Sequence, residues 1–290
     1  MSNVYRALRQ AELEGDVPTT TAPETVDLHE ELLEIVSEET SWLEEATLLH
    51  AAPAPESRLV TISDHNSLAA EKFRVLKTRL RSLQRKQELK TILITSASPG
   101  EGKTVVASNL AVSLARNTSQ RVLLVEGDLR HPALAKQFGL RDLQGITEWF
   151  ETEEPLSQFV YRVEGLRLWT LLTGQPALES LTILQSTKFT EAVSQLAPAF
   201  DWIVIDAPPL VPFADVNVLS ALADGLVLVV RQGIAPKKVL AKALTGLDGA
   251  KIVGVVFNDA QGIEPGYYDH YYGPIAKTKA DDGARRKIAQ

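Results

Sequence analysis

The chain contains no cysteine. That excludes a disulfide framework, a cysteine-built zinc site and a thiol nucleophile, and it accords with a reducing compartment. Long apolar runs are missing as well: the longest, residues 226–230, falls far short of the ~18 residues that cross a bilayer. The first ten residues are charged and lack the apolar centre of a secretory leader, so the expectation is a cytoplasmic chain. Basic charge is also in short supply, with 30 Lys and Arg against 37 Asp and Glu and a net charge of −7. This balance argues against nucleic acid as the main partner. What remains is an ordinary globular composition, 44% hydrophobic and 23% charged over 290 residues, with room for one large α/β domain and extra segments.

The charge is unevenly spread. Residues 1–60 hold thirteen acids and three bases, a net −10, so the other 230 residues carry +3. Together with Pro18, Pro23, Pro53 and Pro55, this marks residues 1–60 as an acidic, partly disordered N-terminal extension. Leu28, Leu32, Leu33, Ile35, Val36, Trp42 and Leu43 leave room in it for one amphipathic helix. From Ser67 a helical stripe of Phe73, Leu76, Leu80 and Leu83 begins. Six apolar, β-branched runs follow, at residues 91–96, 121–125, 166–172, 202–205, 225–230 and 252–257, separated by helical stretches. Such runs suit parallel strands buried on both faces. The expected fold is therefore α/β: a doubly wound, mostly parallel sheet with helices on both faces and its ligand at the carboxyl ends of the strands. Residues 61–262 form this domain, and residues 263–290 a flexible tail.

The most informative stretch runs from Thr91 to Thr104. Ala97, four further residues and then Gly102-Lys103-Thr104 follow a strand and open a helix, which makes a P-loop with alanine at its first glycine position. Gly100 and Gly102 let backbone amides converge on phosphate oxygens, and the helix adds its positive dipole end. Ser98, Pro99, Gly100, Glu101, Gly102, Lys103, Thr104 and Val105 are accordingly the nucleotide-binding residues, with Lys103 on the β- and γ-phosphates and Thr104 on Mg2+. Glu126 and Asp128 follow one strand and Asp206 another. Being two residues apart, Glu126 and Asp128 share one side of the chain if it is still extended. Asp206 suits a Walker B acid, and Asp128 and Asp206 are the candidate carboxylates for the metal. A guanine-reading Asn-Lys-x-Asp signature does not occur, its best-placed residues being Asn258-Asp-Ala-Gln261, which favours ATP over GTP.

These motifs resemble those of the bacterial tyrosine autokinases of capsule and exopolysaccharide assembly, a branch of the partitioning-type P-loop ATPases. Residues 96–104 resemble that family's Walker A loop, residues 122–130 its second acidic motif (Walker A prime) and residues 203–209 its Walker B motif ending in Pro-Pro. Phe213-Ala-Asp215, residues 229–233 and residues 254–258 resemble lesser landmarks, the last placing Asn258 near adenine. Ser98 stands where partitioning ATPases usually carry a second lysine, which favours the kinase branch. The family usually has Asp at the position of Glu126. The resemblance implies that Lys103, Asp128, Glu126 and Asp206 are catalytic. It also implies a membrane partner, a transmembrane polysaccharide co-polymerase that activates the kinase, so that the chain meets the membrane only through that protein.

Glu71-x-x-Arg74-x-x-Lys77 resembles the family's ring-assembly motif, although three-residue spacing alone equally describes a solvated helix face. Four of the six tyrosines, Tyr267, Tyr268, Tyr271 and Tyr272, lie within six residues. By resemblance they are the phosphoacceptors, a phosphatase being their counterpart; by residue type alone they also suit an aromatic binding patch. The expected activity is ATP-dependent tyrosine autophosphorylation in trans that regulates polysaccharide polymerisation and export. The competing expectations are a nucleotide-dependent switch or scaffold without kinase activity, or a partitioning-type ATPase.

Overall fold

A computed structural model of the chain describes residues 41–116, 118–211, 214–245 and 252–259. The N-terminal residues 1–40, Phe213 and the tyrosine cluster at 267–272 lie outside the described residues. The chain divides into two units, Met1–Glu44 and Glu45–Gln290. Of the first only residues 41–44 are described, where α1 (Trp42–Glu45) begins.

All six apolar runs form strands: β2 (Thr91–Ser96), β3 (Val122–Glu126), β5 (Leu168–Leu171), β6 (Trp202–Asp206), β7 (Gly225–Arg231) and β8 (Ile252–Asn258). They lie side by side and parallel in the order β5-β3-β6-β2-β7-β8. Two further strands complete an eight-stranded sheet, β1 (Leu48–Leu49) and β4 (Val160–Val163). β4 is antiparallel to β5, reached by a tight turn in which Gly165 takes a φ of 73°, and β1 pairs parallel to β4. The mixed edge thus lies at one side only, away from β2.

Ten helices punctuate the described chain. After α1 come α2 (Val60–Ser63), α3 (Leu68–Gln84), α4 (Lys103–Ala115), α5 (Leu134–Phe138), α6 (Ile146–Phe150), α7 (Ser180–Leu184), α8 (Thr187–Leu196), α9 (Asp215–Ala221) and α10 (Lys237–Thr245). Ser67 caps α3, its hydroxyl accepting the Ala70 amide at 3.2 Å, as a serine ahead of an amphipathic run should. Leu80 is buried from α3, and Phe73, Leu76 and Leu83 pack partly buried against the same core. α4 is sheathed by protein, with ten consecutive residues, Val106 to Ala115, buried between α3 and the sheet.

Alternation along β2 shows that both sheet faces are covered. Ile92 and Ile94 join the cluster formed with Leu110 and Leu114 of α4, whereas Leu93 and Thr95 point to the opposite face. All four are fully buried. This is why β2 reads as a continuous apolar run rather than an alternating one. Its position between β6 and β7 puts the loop after Ser96 beside the carboxyl end of β6, where a doubly wound sheet binds its ligand.

Candidate functional site: a phosphate loop ringed by carboxylates

The loop between β2 and α4 carries its two glycines in left-handed conformations, Gly100 at φ 80° and Gly102 at φ 91°. A Cβ on Gly102 would lie 2.2 Å from Asn258 Nδ2, so φ and space both demand glycine there. Ala97, at the first glycine position of the motif, is fully buried without difficulty.

The loop is held from within. Glu101 is fully buried, and its carboxylate accepts the Ser98 amide at 2.6 Å and the Arg231 amide at 3.0 Å, while Asn258 Nδ2 donates to the Glu101 carbonyl at 2.8 Å. Arg231, the last residue of β7, donates from its guanidinium to Gly100 O at 3.3 Å and pairs with Asp259 at 2.7 Å. Glu101, Arg231 and Asn258 therefore clip the loop to β7 and β8. Sequence reading placed Glu101 and Asn258 at the nucleotide and Arg231 within a landmark at 229–233, but gave no sign of the clip that joins them, because the partners of the Glu101 carboxylate are backbone groups. Pro99 and Gly100 stay exposed at the tip, and Val105 sits in the first turn of α4.

Lys103 opens α4, and its ammonium donates to Asp128 Oδ2 at 2.9 Å. Desolvation pulls the lysine pKa down, but Asp206, Asp128 and Glu126 together outweigh it, and the net shift is upward. The ammonium is thus charged in the folded protein. Asp128 also accepts the His131 amide at 3.2 Å through its other oxygen.

Asp206, at the carboxyl end of β6, is fully buried. Its pKa is pushed up to about 6, by desolvation first and then by the neighbouring Glu126 and Asp128, against the lowering effect of Lys103 and of a hydrogen bond with Thr104. Its Oδ1 atom is buried without a hydrogen-bond partner. A buried orphan carboxylate oxygen next to the Thr104 hydroxyl fits a hard divalent cation. Among the described residues no three His, Asp or Glu side chains converge to hold a metal alone. Such an ion would have to complete its shell from Thr104, water and phosphate oxygens, the usual habit of Mg2+.

Glu126 is spoken for. One carboxylate oxygen accepts the amides of Ala133 at 2.5 Å and Leu134 at 2.6 Å, and the other accepts Thr173 at 3.0 Å. Burial raises its pKa and the three amides act in the opposite direction. The longer arm of glutamate thus ties β3 to the first turn of α5 and to the segment after β5, while Asp128, two residues on, faces Lys103. Asp215 of the Phe213-Ala-Asp215 landmark is likewise buried, bound to Ser180 Oγ at 3.0 Å and to Arg130 at 3.4 Å.

The Glu71, Arg74 and Lys77 stripe lies on α3. Arg74 pairs with Glu71 at 2.5 Å in an exposed position. Lys77 turns the other way and donates to the carbonyls of Ser113 at 2.6 Å and Arg116 at 3.1 Å, at the C-terminal end of α4.

A parallel sheet with this loop at the amino end of a helix and acids at the adjacent strand ends defines a P-loop nucleotide-binding protein. Residues 88–271 match the ParA family model, described as NUBPL iron-transfer P-loop NTPase. The 290 residues offer no cysteine thiolate for the iron in that description. The chain is 30% identical over 218 residues to tyrosine-protein kinase YwqD of Bacillus subtilis, a match covering 74% of this chain and 92% of YwqD. It is 29% identical over 222 residues to the succinoglycan biosynthesis transport protein ExoP of Rhizobium meliloti, covering 75% of this chain and 28% of ExoP. Among solved structures, the chimerical protein CapA2B2 superposes with a TM-score of 0.66 at 25% identity, over 78% of this chain and 98% of that one. The chain belongs to the bacterial tyrosine-protein kinases, within the ParA-type P-loop NTPases.

Proposed function

We propose that this kinase transfers the γ-phosphoryl group of ATP, in the presence of Mg2+, to Tyr267, Tyr268, Tyr271 and Tyr272 of an adjacent copy, and thereby regulates polysaccharide polymerisation and export. The observation that carries the reading is the convergence of Lys103, Thr104, Asp128 and Asp206 around the clipped loop. In the reaction the phenol oxygen bonds to the γ-phosphorus, the bond to the β-bridging oxygen breaks, and the phenol proton leaves. Loop amides and Lys103 hold the transferring group, and because the transition state is loose, charge neutralisation dominates. Asp128 orients the phenol and takes its proton late. Asp206 and Thr104 would hold Mg2+, which would supply further neutralisation of phosphate charge.

Glu126, with its oxygens occupied by three amides, acts as a strut in this scheme rather than as the base. ATP is favoured over GTP because the sequence has no Asn-Lys-x-Asp guanine signature, and Asn258, which donates to the Glu101 carbonyl of the loop, is the residue proposed to meet adenine. Ring assembly through α3 is part of the proposal, with Glu71 and Arg74 rather than Lys77 offering exposed groups. A separate transmembrane co-polymerase as activator and an opposing phosphatase complete it. The name of ExoP, a succinoglycan biosynthesis transport protein, supports a polysaccharide setting. No helix among the described residues is long and apolar enough to cross a membrane.

The test is phosphosite mapping by mass spectrometry after incubation with Mg-ATP and a candidate activator tail, with Lys103→Met as the control. Phosphate on residues 267–272 that vanishes in the variant is the expected result. ATP binding and activator docking without phosphate on those tyrosines would overturn the proposal.

A further inference from the structure

A recess of about 530 Å3 opens between α2, α3 and the C-terminal end of α4. α4 spans thirteen residues, so at 1.5 Å per residue the recess lies about 20 Å from the P-loop, at the other end of the helix. Three cations line it, Arg74, Lys77 and Arg116, together with His65, and no carboxylate does. Arg74 is balanced by Glu71, which lies outside the lining. The other two are not balanced: Lys77 donates to two backbone carbonyls and Arg116 Nη2 to the Thr61 carbonyl at 2.9 Å. Among the described residues neither has a carboxylate within ion-pair distance.

Two polar atoms at the recess are buried with no hydrogen-bond partner, Arg116 Nε and the hydroxyl of Ser113, a residue only 5% exposed. The Lys77 pKa is lowered to about 8 by burial and then by the nearby Arg81, the response of an ammonium that lacks a counter-charge. Unbalanced cations gathered in a partly desolvated hollow attract an anion more strongly than the same groups on an open surface. The guanidinium fork of Arg116 matches the geometry of phosphate oxygens, and the volume lies in the range of small-molecule sites, leaving room for an organic body.

We propose that the recess formed by Lys77, Arg116 and Ser113 is a second anion site, which binds a phosphomonoester far from the nucleotide. The inference does not depend on the identity of the phosphoacceptor.

Isothermal titration of phenyl phosphate into the full chain tests it, with saturating Mg-ADP present so that the P-loop is already filled. One equivalent is expected to bind, and the affinity to fall at least about tenfold in Arg116→Gln, a loss equal to ~1.4 kcal/mol. Arg116→Gln also removes the bond to Thr61, so a second variant guards against a folding artefact. Asn66 is exposed at the recess mouth, and Asn66→Glu adds an opposing charge without touching that bond. It is expected to weaken binding about tenfold as well, with an unchanged melting temperature. Absence of saturable heat, or full affinity in Asn66→Glu, would overturn the proposal. Benzoate binding as tightly as phenyl phosphate would overturn the phosphate assignment and give the recess to a carboxylate.

Discussion

Replacing Asp206 by asparagine should stabilise the nucleotide-free protein at neutral pH while destroying its function. The carboxyl has a pKa of about 6 in the folded chain against 3.8 as its ordinary value, because burial and two neighbouring acids disfavour its charged form. A group whose folded pKa is raised in this way costs stability once the unfolded chain ionises it. The cost is absent below pH ~4, grows between about 4 and 6 and is complete above 6. At 1.36 kcal/mol per pKa unit, a shift of roughly two units amounts to about 3 kcal/mol. Asparagine keeps the shape and removes the charge. Urea denaturation of both proteins from pH 4 to pH 8, without nucleotide or divalent ion, should show equal stabilities at the acid end and a variant more stable by about 3 kcal/mol at pH 8. Glu126 titrates in both proteins and largely cancels in the difference. The Lys103 pKa is raised, so its contribution is present below its unfolded value near 10.5 and lost above it, outside this window. A difference that does not change with pH, or a variant less stable at pH 8, would refute the reasoning.

Glu126→Asp, which installs the residue usual in the family, should retract the carboxylate by about 1.5 Å. The buried amides of Leu134 and Thr173 would then lose their acceptor, a cost of about 1–3 kcal/mol readable by urea denaturation. Gly102→Ala should push Asn258 off the loop and force a non-glycine residue to φ 91°, lowering ATP affinity at least about tenfold in a titration with a fluorescent ATP analogue, at a strain of ~1–3 kcal/mol. Under the proposed function, phosphorylation of Tyr267, Tyr268, Tyr271 and Tyr272 adds about −1.5 to −2 charges per tyrosine beside Glu264 and Asp269 and should loosen the proposed ring. Sedimentation of phosphorylated and dephosphorylated protein at one concentration checks this, and identical sizes would contradict it.

β2, β3, β5, β6 and most of β7 were legible because burial on both faces leaves a continuous apolar run. β8, at the sheet edge with Ile252, Val255 and Phe257 exposed, departs from the expected burial and was legible only from its β-branched content. β4 was not, since its burial runs buried at the ends and only partial between, and β1 has two residues that are a strand only by virtue of pairing with β4. The phosphate loop was legible for a different reason: spacing of Ala97, Gly102, Lys103 and Thr104 is itself the chemistry. Glu101 and Glu126 show where sequence falls silent. Their partners are backbone amides at Ser98, Arg231, Ala133, Leu134 and Thr173, and an amide has no residue identity to read. Only the order of β3 next to β5 brings Thr173 to Glu126, and only the order of β2 next to β7 brings Arg231 to Glu101.

The charge of the site also bears on how nucleotide must arrive. One ammonium, Lys103, faces Asp128, Asp206 and Glu126, and Asp206 is mostly ionised at pH 7 despite its raised pKa. Three carboxyl groups thus surround a single ammonium before any phosphate enters. A triphosphate alone would meet repulsion there, which the dipole end of α4 offsets by no more than about half a charge. The loop itself needs no rearrangement, because Glu101, Arg231 and Asn258 already hold its backbone in place. Under the proposed function the contact that changes is Lys103 to Asp128, the ammonium passing from the carboxylate to the phosphates. In the same proposal Asp206 and Thr104 would hold the divalent ion that accompanies ATP, whose charge would offset that of Asp206 and of the phosphates. Binding of ATP without a divalent ion should accordingly be weaker for this chain than binding of Mg-ATP by more than tenfold, and Asp206→Asn should narrow that gap in the same titration. An equal gap in both proteins would mean that Asp206 plays no part in holding the ion.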